Sequence, residues 1–388
     1  MSVQSELALE HQARIIKRTD LAAQKAVGLW RGVDPNSLDA GWARVSPQIA
    51  AIAASVVTTN ARDSQSYLNA VARDAGDGPG DSVVFDSFTG VDGTGRDMES
   101  LLHGAVTTTK QGMTAGLGLQ QSFLSGASYL ATMFNTAVHD LGRSSDLVAG
   151  TGRGYTHYVR VVNPGACSRC AMLAGVASGA KAFQRHPNCH CTSAPVKTDS
   201  RGRVSGEIPD GLYSSPAEYF GSLSKAEQDR IFTSAGAEAI RAGADVSKVV
   251  SARRGAAGIR YSSRYGAQRV GRGSLLRTRI GTSRDGSPVF GYTTVEGTSR
   301  RGAYGMVQGL TRTRLMPESI IPLTDDPELR RVLLRNAGYL DYYNAPELRD
   351  AKFVAQAESR GMSPRSWLVQ RDRAQADRVY EQHGIRLG

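Results

Sequence analysis

The chain has 388 residues, 40% of them hydrophobic and 7% aromatic, with a formal net charge of +11. This length predicts more than one folding unit, and the apolar content is enough for packed cores. The longest apolar run, residues 49–57, is interrupted by Ser55 and is far too short to span a bilayer. Glu6, Glu10, Arg14 and Lys17 do not spell a secretory leader, so a chain made in a reducing cytoplasm, with no membrane partner, is expected.

Residues 4–31 read as a helix, with Leu7, Leu9, Ile15, Leu21, Ala22 and Leu29 on a broad apolar side. Asp34, Pro35 and Asn36 break it. Ser46 is placed to cap the next helix with Pro47 at its first position, where the missing N–H costs nothing. The run at 76–81, GDGPGD, is a linker. A second helical block starts near Arg96, with Leu119, Phe123, Leu130, Phe134, Val138 and Leu141 as its apolar stripe. The stripe is read as core packing, with a groove for a partner helix as the alternative. Gly104, Gly112, Gly116, Gly118 and Gly126 argue against one continuous helix, or for close helix approach.

Residues 155–162, YTHYVRVV, alternate and are β-branched, so they read as a strand, and 192–196 is placed to pair with it. Between these strands lie all four cysteines: Cys167-Ser-Arg-Cys170, then His186-Pro-Asn-Cys189-His190-Cys191. Two tight bends carrying two thiolates each are what a tetrahedral structural zinc requires. Cys167, Cys170, Cys189 and Cys191 are the first-choice ligands. His186 is the reserve, because His-x-x-Cys also spans one metal, and His190 is expected to point away. Metal-free thiols, a redox pair and disulfides are the competing readings; a redox Cys-x-x-Cys leaves the second pair unexplained. Four protein ligands leave no open position, so the zinc would be a staple and not a catalyst.

Ser215 to Glu218 and Ser224 to Glu227 spell capping boxes of two short helices. Short strands are expected near 275–280, 289–295 and 306–310, and Asp326-Pro327 and Ser363-Pro364 open tail helices. Residues 1–150 carry eleven basic and fifteen acidic side chains, whereas 251–315 carry thirteen arginines and only Asp285 and Glu296 as acids. That asymmetry predicts an anionic partner for the C-terminal part. Arg253, Arg254, Arg300 and Arg301, adjacent pairs beside glycines, are the candidate contacts to DNA, bound through its backbone without sequence preference. An acidic protein partner and a plain solvated surface are the alternatives.

The chain shows no P-loop, no nucleophile elbow and no His-Glu-x-x-His. His11, His103, His139 and His383 fall on predicted helices without a recognisable partner set, and His157 is an outside candidate to support the cysteine site. The expected fold is α+β and mostly helical. It is divided into a helical docking domain (1–150), the cysteine module (151–200), a short-helix region (201–252), the basic segment (253–320) and a helical tail (321–388).

Cys-x-x-Cys followed by His-Pro-x-Cys-x-Cys, here HPNCHC, resembles the Mu F-like phage head morphogenesis proteins, also called minor head or minor capsid proteins. The common family spelling has Arg where this chain has His190. The segments SLSKAEQDRIFTSAGAEAIRAGAD, VVSARRG, EGTSRRG and RLMPESI are similar to head proteins of actinobacterial phages, so the resemblance runs from about 155 to 340. It implies a non-enzymatic virion component, inside the capsid near the portal vertex, that assists procapsid assembly and DNA packaging. Its implied partners are the portal protein, the major capsid or scaffold protein and packaged DNA. The alternatives are a virion-carried enzyme, either a maturation protease or a toxin, and a zinc-knuckle nucleic-acid-binding protein. Some relatives carry ADP-ribosyltransferase toxins; Gln356 and Glu358 match their Gln-x-Glu spelling, but within a predicted helix rather than at a strand end.

Overall fold

A computed structural model describes residues 2–78, 80–162, 166–179, 189–199, 201, 209–253, 256, 259–262, 266–269, 275–295, 306–307, 310–311 and 313–387. The fold is α+β and mostly helical, as expected. It divides into two compact units. One comprises 1–166 with 173–215; the other comprises 167–172 with 216–388.

The first unit is built on three long helices: α1 (Val3–Arg31), α2 (Leu38–Asp74) and, after the short α3 (Met98–Leu102) and α4 (Gly104–Thr114), α5 (Leu119–Thr151). Trp30, Trp42, Ile49, Leu102, Leu130, Phe134 and Val138 bury together between them. Burial of such side chains contributes roughly 1.5–3 kcal/mol each, which is why the apolar faces meet. Most of the α5 stripe is therefore core; Leu119 alone of it is exposed.

One expectation is overturned. The second helix starts at Leu38, not at Ser46, and Pro47 lies inside it. An interior proline costs about 3 kcal/mol through its lost N–H bond and its clash with the preceding turn. Trp42 and Val45 before it and Ile49 after it all enter one core, and their burial offsets that cost. Ser46 donates instead to a Glu99 carboxylate oxygen at 2.7 Å.

The expected helix break occurs at Gly116, whose φ is +82°, and the expected close approach occurs at Gly126. A Cβ at Gly126 would lie 2.7 Å from the Ala105 carbonyl oxygen and 2.9 Å from the Trp30 ring, and would overlap the Thr109 hydroxyl. Gly126→Ala is therefore expected to destabilise the chain by about 1–3 kcal/mol, the usual cost of overpacking. A urea melt checks this; unchanged stability would show that α4 can move away from α5.

After α5 come β1 (His157–Val161), α6 (Ser168–Ala171), β2 (Ser178–Gly179) and β3 (Thr192–Val196). The sheet order is β2-β1-β3, antiparallel, with Val159 opposite Ala194 and Arg160 opposite Ser193. Val159, Val161, Ala194 and Val196 pack on Tyr67, Leu68, Val71 and Ala149 of the helices. The sheet thus shares a core with the helical block and belongs to the same compact unit.

The second unit holds α7 (Pro216–Ser222), α8 (Lys225–Phe232), α9 (Ser234–Arg241) and α10 (Val246–Ala252). It continues with hairpins β4–β5 (Ile259–Ser262, Gly266–Arg269) and β6–β7 (Thr278–Thr282, Pro288–Gly291). β8 (Thr293–Thr294), β9 (Met306–Val307), β10 (Leu310–Thr311) and β11 (Arg314–Leu315) follow. α11 (Pro317–Ile320), α12 (Pro327–Asn336), α13 (Ala351–Glu358) and α14 (Pro364–Gln382) close the chain. The Ser224 and Glu227 capping box is formed, and Asp326 and Ser363 cap α12 and α14. Within this unit the end of the chain lies against β6: Thr282 N–H donates to the Gly384 carbonyl (2.8 Å) and Arg386 N–H to that of Ile280 (2.7 Å). No helix among the described residues is long and apolar enough to cross a membrane.

Candidate metal centre

β1 leads to the first cysteine bend. Cys167 caps the single turn of α6 in an extended conformation, and the N–H groups of Cys170 and Ala171 bond to its carbonyl at 3.0 Å. β3 follows the second bend, so pairing of β1 with β3 sets where Cys189 and Cys191 lie. The ligand atoms of Cys170, Cys189 and Cys191 lie within 4.8 Å of one another, and all three residues are buried. Sulfurs around a tetrahedral zinc, with bonds of about 2.3 Å, sit about 3.8 Å apart. The three sulfurs therefore fit such an ion after a small contraction. None of the four cysteines is in a disulfide. Cys167 is half-buried and outside the trio, and His186 lies outside the described residues.

The surroundings suit thiolates. Arg160 on β1, 6% exposed, points Nη1 at the Cys189 sulfur at 3.7 Å. Arg143 on α5 is buried; its Nη1 donates to the carbonyls of both Cys189 (3.0 Å) and Cys191 (2.9 Å), while its Nη2 pairs with Asp140. Gln12 on α1 donates to the carbonyls of Val161 and His190, each at 3.1 Å. Long-range contacts thus hold the Cys189–Cys191 bend from two helices. His190 packs against the buried His139 ring, with centroids 5.0 Å apart, and is not one of the three converging ligands. Burial, then Arg143 and His190, push the His139 imidazole down to about 3, so it is neutral. Its Nε2 has no hydrogen-bond partner among the described residues.

No family model, curated protein or solved structure matches the chain.

A second polar constellation was not legible in the sequence. His11 is fully buried between two carboxylates, with Nδ1 2.9 Å from Asp63 and Nε2 2.8 Å from Asp146. Its ring stacks on Tyr67 at 4.3 Å. Asp146 also accepts from the hydroxyls of Thr192 (2.7 Å) and Ser193, the residues that follow Cys191. Arg14 and Arg18 face the other carboxylate, Asp63. Burial lowers the His11 pKa, but the two carboxylates outweigh it and raise it to about 9. Both ring nitrogens are engaged, so the group ties α1, α2, α5 and β3 together rather than offering a free base. His157 bonds to the hydroxyls of Thr156 and Thr198 and takes no place among the sulfurs.

Of the four arginines singled out for DNA, only Arg253 is among the described residues; Arg254, Arg300 and Arg301 lie outside them. Arg253 follows α10 and donates to Glu318 at 2.9 Å, so its charge is directed into an ion pair. Gln356 and Glu358 lie in α13, away from any strand end.

Proposed function

We propose that this chain is a structural minor head protein of a tailed phage, of the Mu F-like type. It would act inside the capsid near the portal vertex, assisting procapsid assembly and DNA packaging. The observation that carries the reading is the convergence of Cys170, Cys189 and Cys191, drawn from both halves of the motif that resembles that family. Zinc is the metal we assign, because three soft thiols in a buried site with a cationic neighbour suit it, and a fourth ligand from Cys167 or His186 completes a closed set. The metal staples the cysteine module. The helical first unit supplies the surfaces for the portal protein and for the major capsid or scaffold protein. The basic C-terminal part meets packaged DNA. The buried His11 set, with both nitrogens engaged, supports a structural rather than a catalytic role.

Mass spectrometry of purified virions and of empty procapsids tests this. The chain is expected in both, at low copy number. Its absence from both would favour the alternative of a zinc-knuckle nucleic-acid-binding protein that works outside the particle. Cleavage of a capsid protein or modification of a host protein by the purified chain would favour the enzyme alternative.

A further inference from the structure

The geometry points to a nucleic-acid-binding cleft in the second unit, formed between the β6–β7 hairpin with the chain end on one side and α14 on the other. This rests on the reading that the basic C-terminal part meets nucleic acid, and it names a surface that the arginine pairs of the sequence do not include. The cleft is open, with a volume of about 1610 Å³. Arg284 enters it from the β6–β7 turn, and Arg386 from the chain end that hydrogen-bonds to β6. Arg365 and Arg373 enter from α14, and Lys248 from α10.

What matters is which of these cations are already neutralised. Among the described residues, no carboxylate lies within 4.0 Å of Lys248, Arg284, Arg365 or Arg386, whereas Arg241, Arg253, Arg330, Arg335 and Arg371 of this unit are ion-paired. Three acids share the cleft. Asp377 lies against Arg373, Asp341 accepts from the backbone N–H of Tyr343, and Glu381 is exposed. Four cations without a counterion, spread over opposite walls, match a chain of phosphates better than a single small anion.

An aromatic group completes the pattern. Tyr343 is 66% exposed in this cleft, and the Arg365 guanidinium lies over its ring at 3.9 Å. An exposed ring backed by a cation is a stacking platform for an unpaired base, and a base stacked there would leave its phosphates among the arginines.

The test measures binding of the full chain to a labelled single strand and to a duplex of equal length, across a series of salt concentrations. Arg284→Gln with Arg386→Gln is compared with Arg331→Gln and Arg378→Gln, which remove the same charge from outside this cleft. The cleft pair is expected to weaken binding about tenfold and to flatten the salt slope by about 1.4 for the single strand and about 1.8 for the duplex. The outside pair is expected to change affinity less than about twofold, since neither side chain lines the cleft and solvent screens the remaining charge effect. Tyr343→Ala is expected to weaken the single strand about tenfold and leave the duplex unchanged. Lys248→Gln replaces either cleft substitution if that variant melts below the parent. If both pairs lose the same affinity, the cleft is not the contact surface, while the nucleic-acid reading stands. If the parent binds neither strand form but binds polyglutamate, the partner is acidic protein, and both the cleft assignment and the nucleic-acid reading fall; the head-protein reading is decided separately by particle composition.

Discussion

Purified chain is expected to carry about one zinc, and Cys170→Ser, Cys189→Ser or Cys191→Ser is each expected to lose it. Structural zinc binds with roughly 10–16 kcal/mol at neutral pH in small modules, and that energy is folding energy where the site does not exist in the unfolded chain. Here the Cys189–Cys191 bend is also held by Arg143 and Gln12, so part of it persists without metal. The expected loss of melting temperature is still about 10 °C or more for each serine variant. Of Cys167→Ser and His186→Ala, one removes the metal and the other does not, which identifies the fourth ligand. Metal content by plasma mass spectrometry and a thermal melt, with and without chelator, read both effects. Zinc-free protein whose melting temperature matches that of the zinc-loaded form would falsify the staple.

His11→Ala is expected to cost about 3–5 kcal/mol, because it removes the one cation between two carboxylates and leaves Asp146 buried without it. The pH dependence is specific. The folded pKa of His11 is raised from 6.5 to about 9, so the stability it contributes is complete below pH 6.5 and is lost as pH rises through 9. Its size is on the order of 3 kcal/mol as an upper bound. Asp63 has the opposite sign. Burial raises its pKa, but His11, Arg14 and Arg18 hold it at about 2, below the usual 3.8. Its contribution is therefore present above pH 3.8 and is lost as pH falls through 2. Urea melts of the parent and of His11→Gln between pH 5 and 10, read as the difference between them, should converge toward high pH. Curves that stay parallel across that range would show that folding does not shift the His11 pKa.

How much of this was legible before folding depended on the range of each signal. Local signals read well. Asp326 before Pro327, Ser363 before Pro364 and the Ser224–Glu227 pair each act within four residues, and each opens a helix where expected. The alternation in 155–162 marked β1, and 192–196 pairs with it. Pro47 misled because its local preference for a helix start was weaker than the burial of Trp42 and Val45 ahead of it. The ion pair of Arg253 was not legible, because its partner, Glu318, lies far along the chain.

At the candidate site the division is the same. Cys-x-x-Cys and His-Pro-x-Cys-x-Cys marked the candidate metal ligands in the sequence, because ligand spacing within a bend is local. Arg143, Arg160 and Gln12 were not visible as its supports, since they reach the second bend from α5, β1 and α1. His11, Asp63 and Asp146 carried no sequence signal at all, because no spacing rule joins residues 52 and 135 positions apart.

The sequence by itself determined the class of fold, the capped helices, the strand pair and the cysteines that are candidates to hold a metal, all properties of residue type and short spacing. Only the tertiary structure decided which sulfurs converge and which histidine is held between carboxylates. It also decided which arginines are spent in ion pairs and which stand open in a cleft. Those outcomes depend on burial and on charges meeting across distant segments, and neither exists until the helices pack.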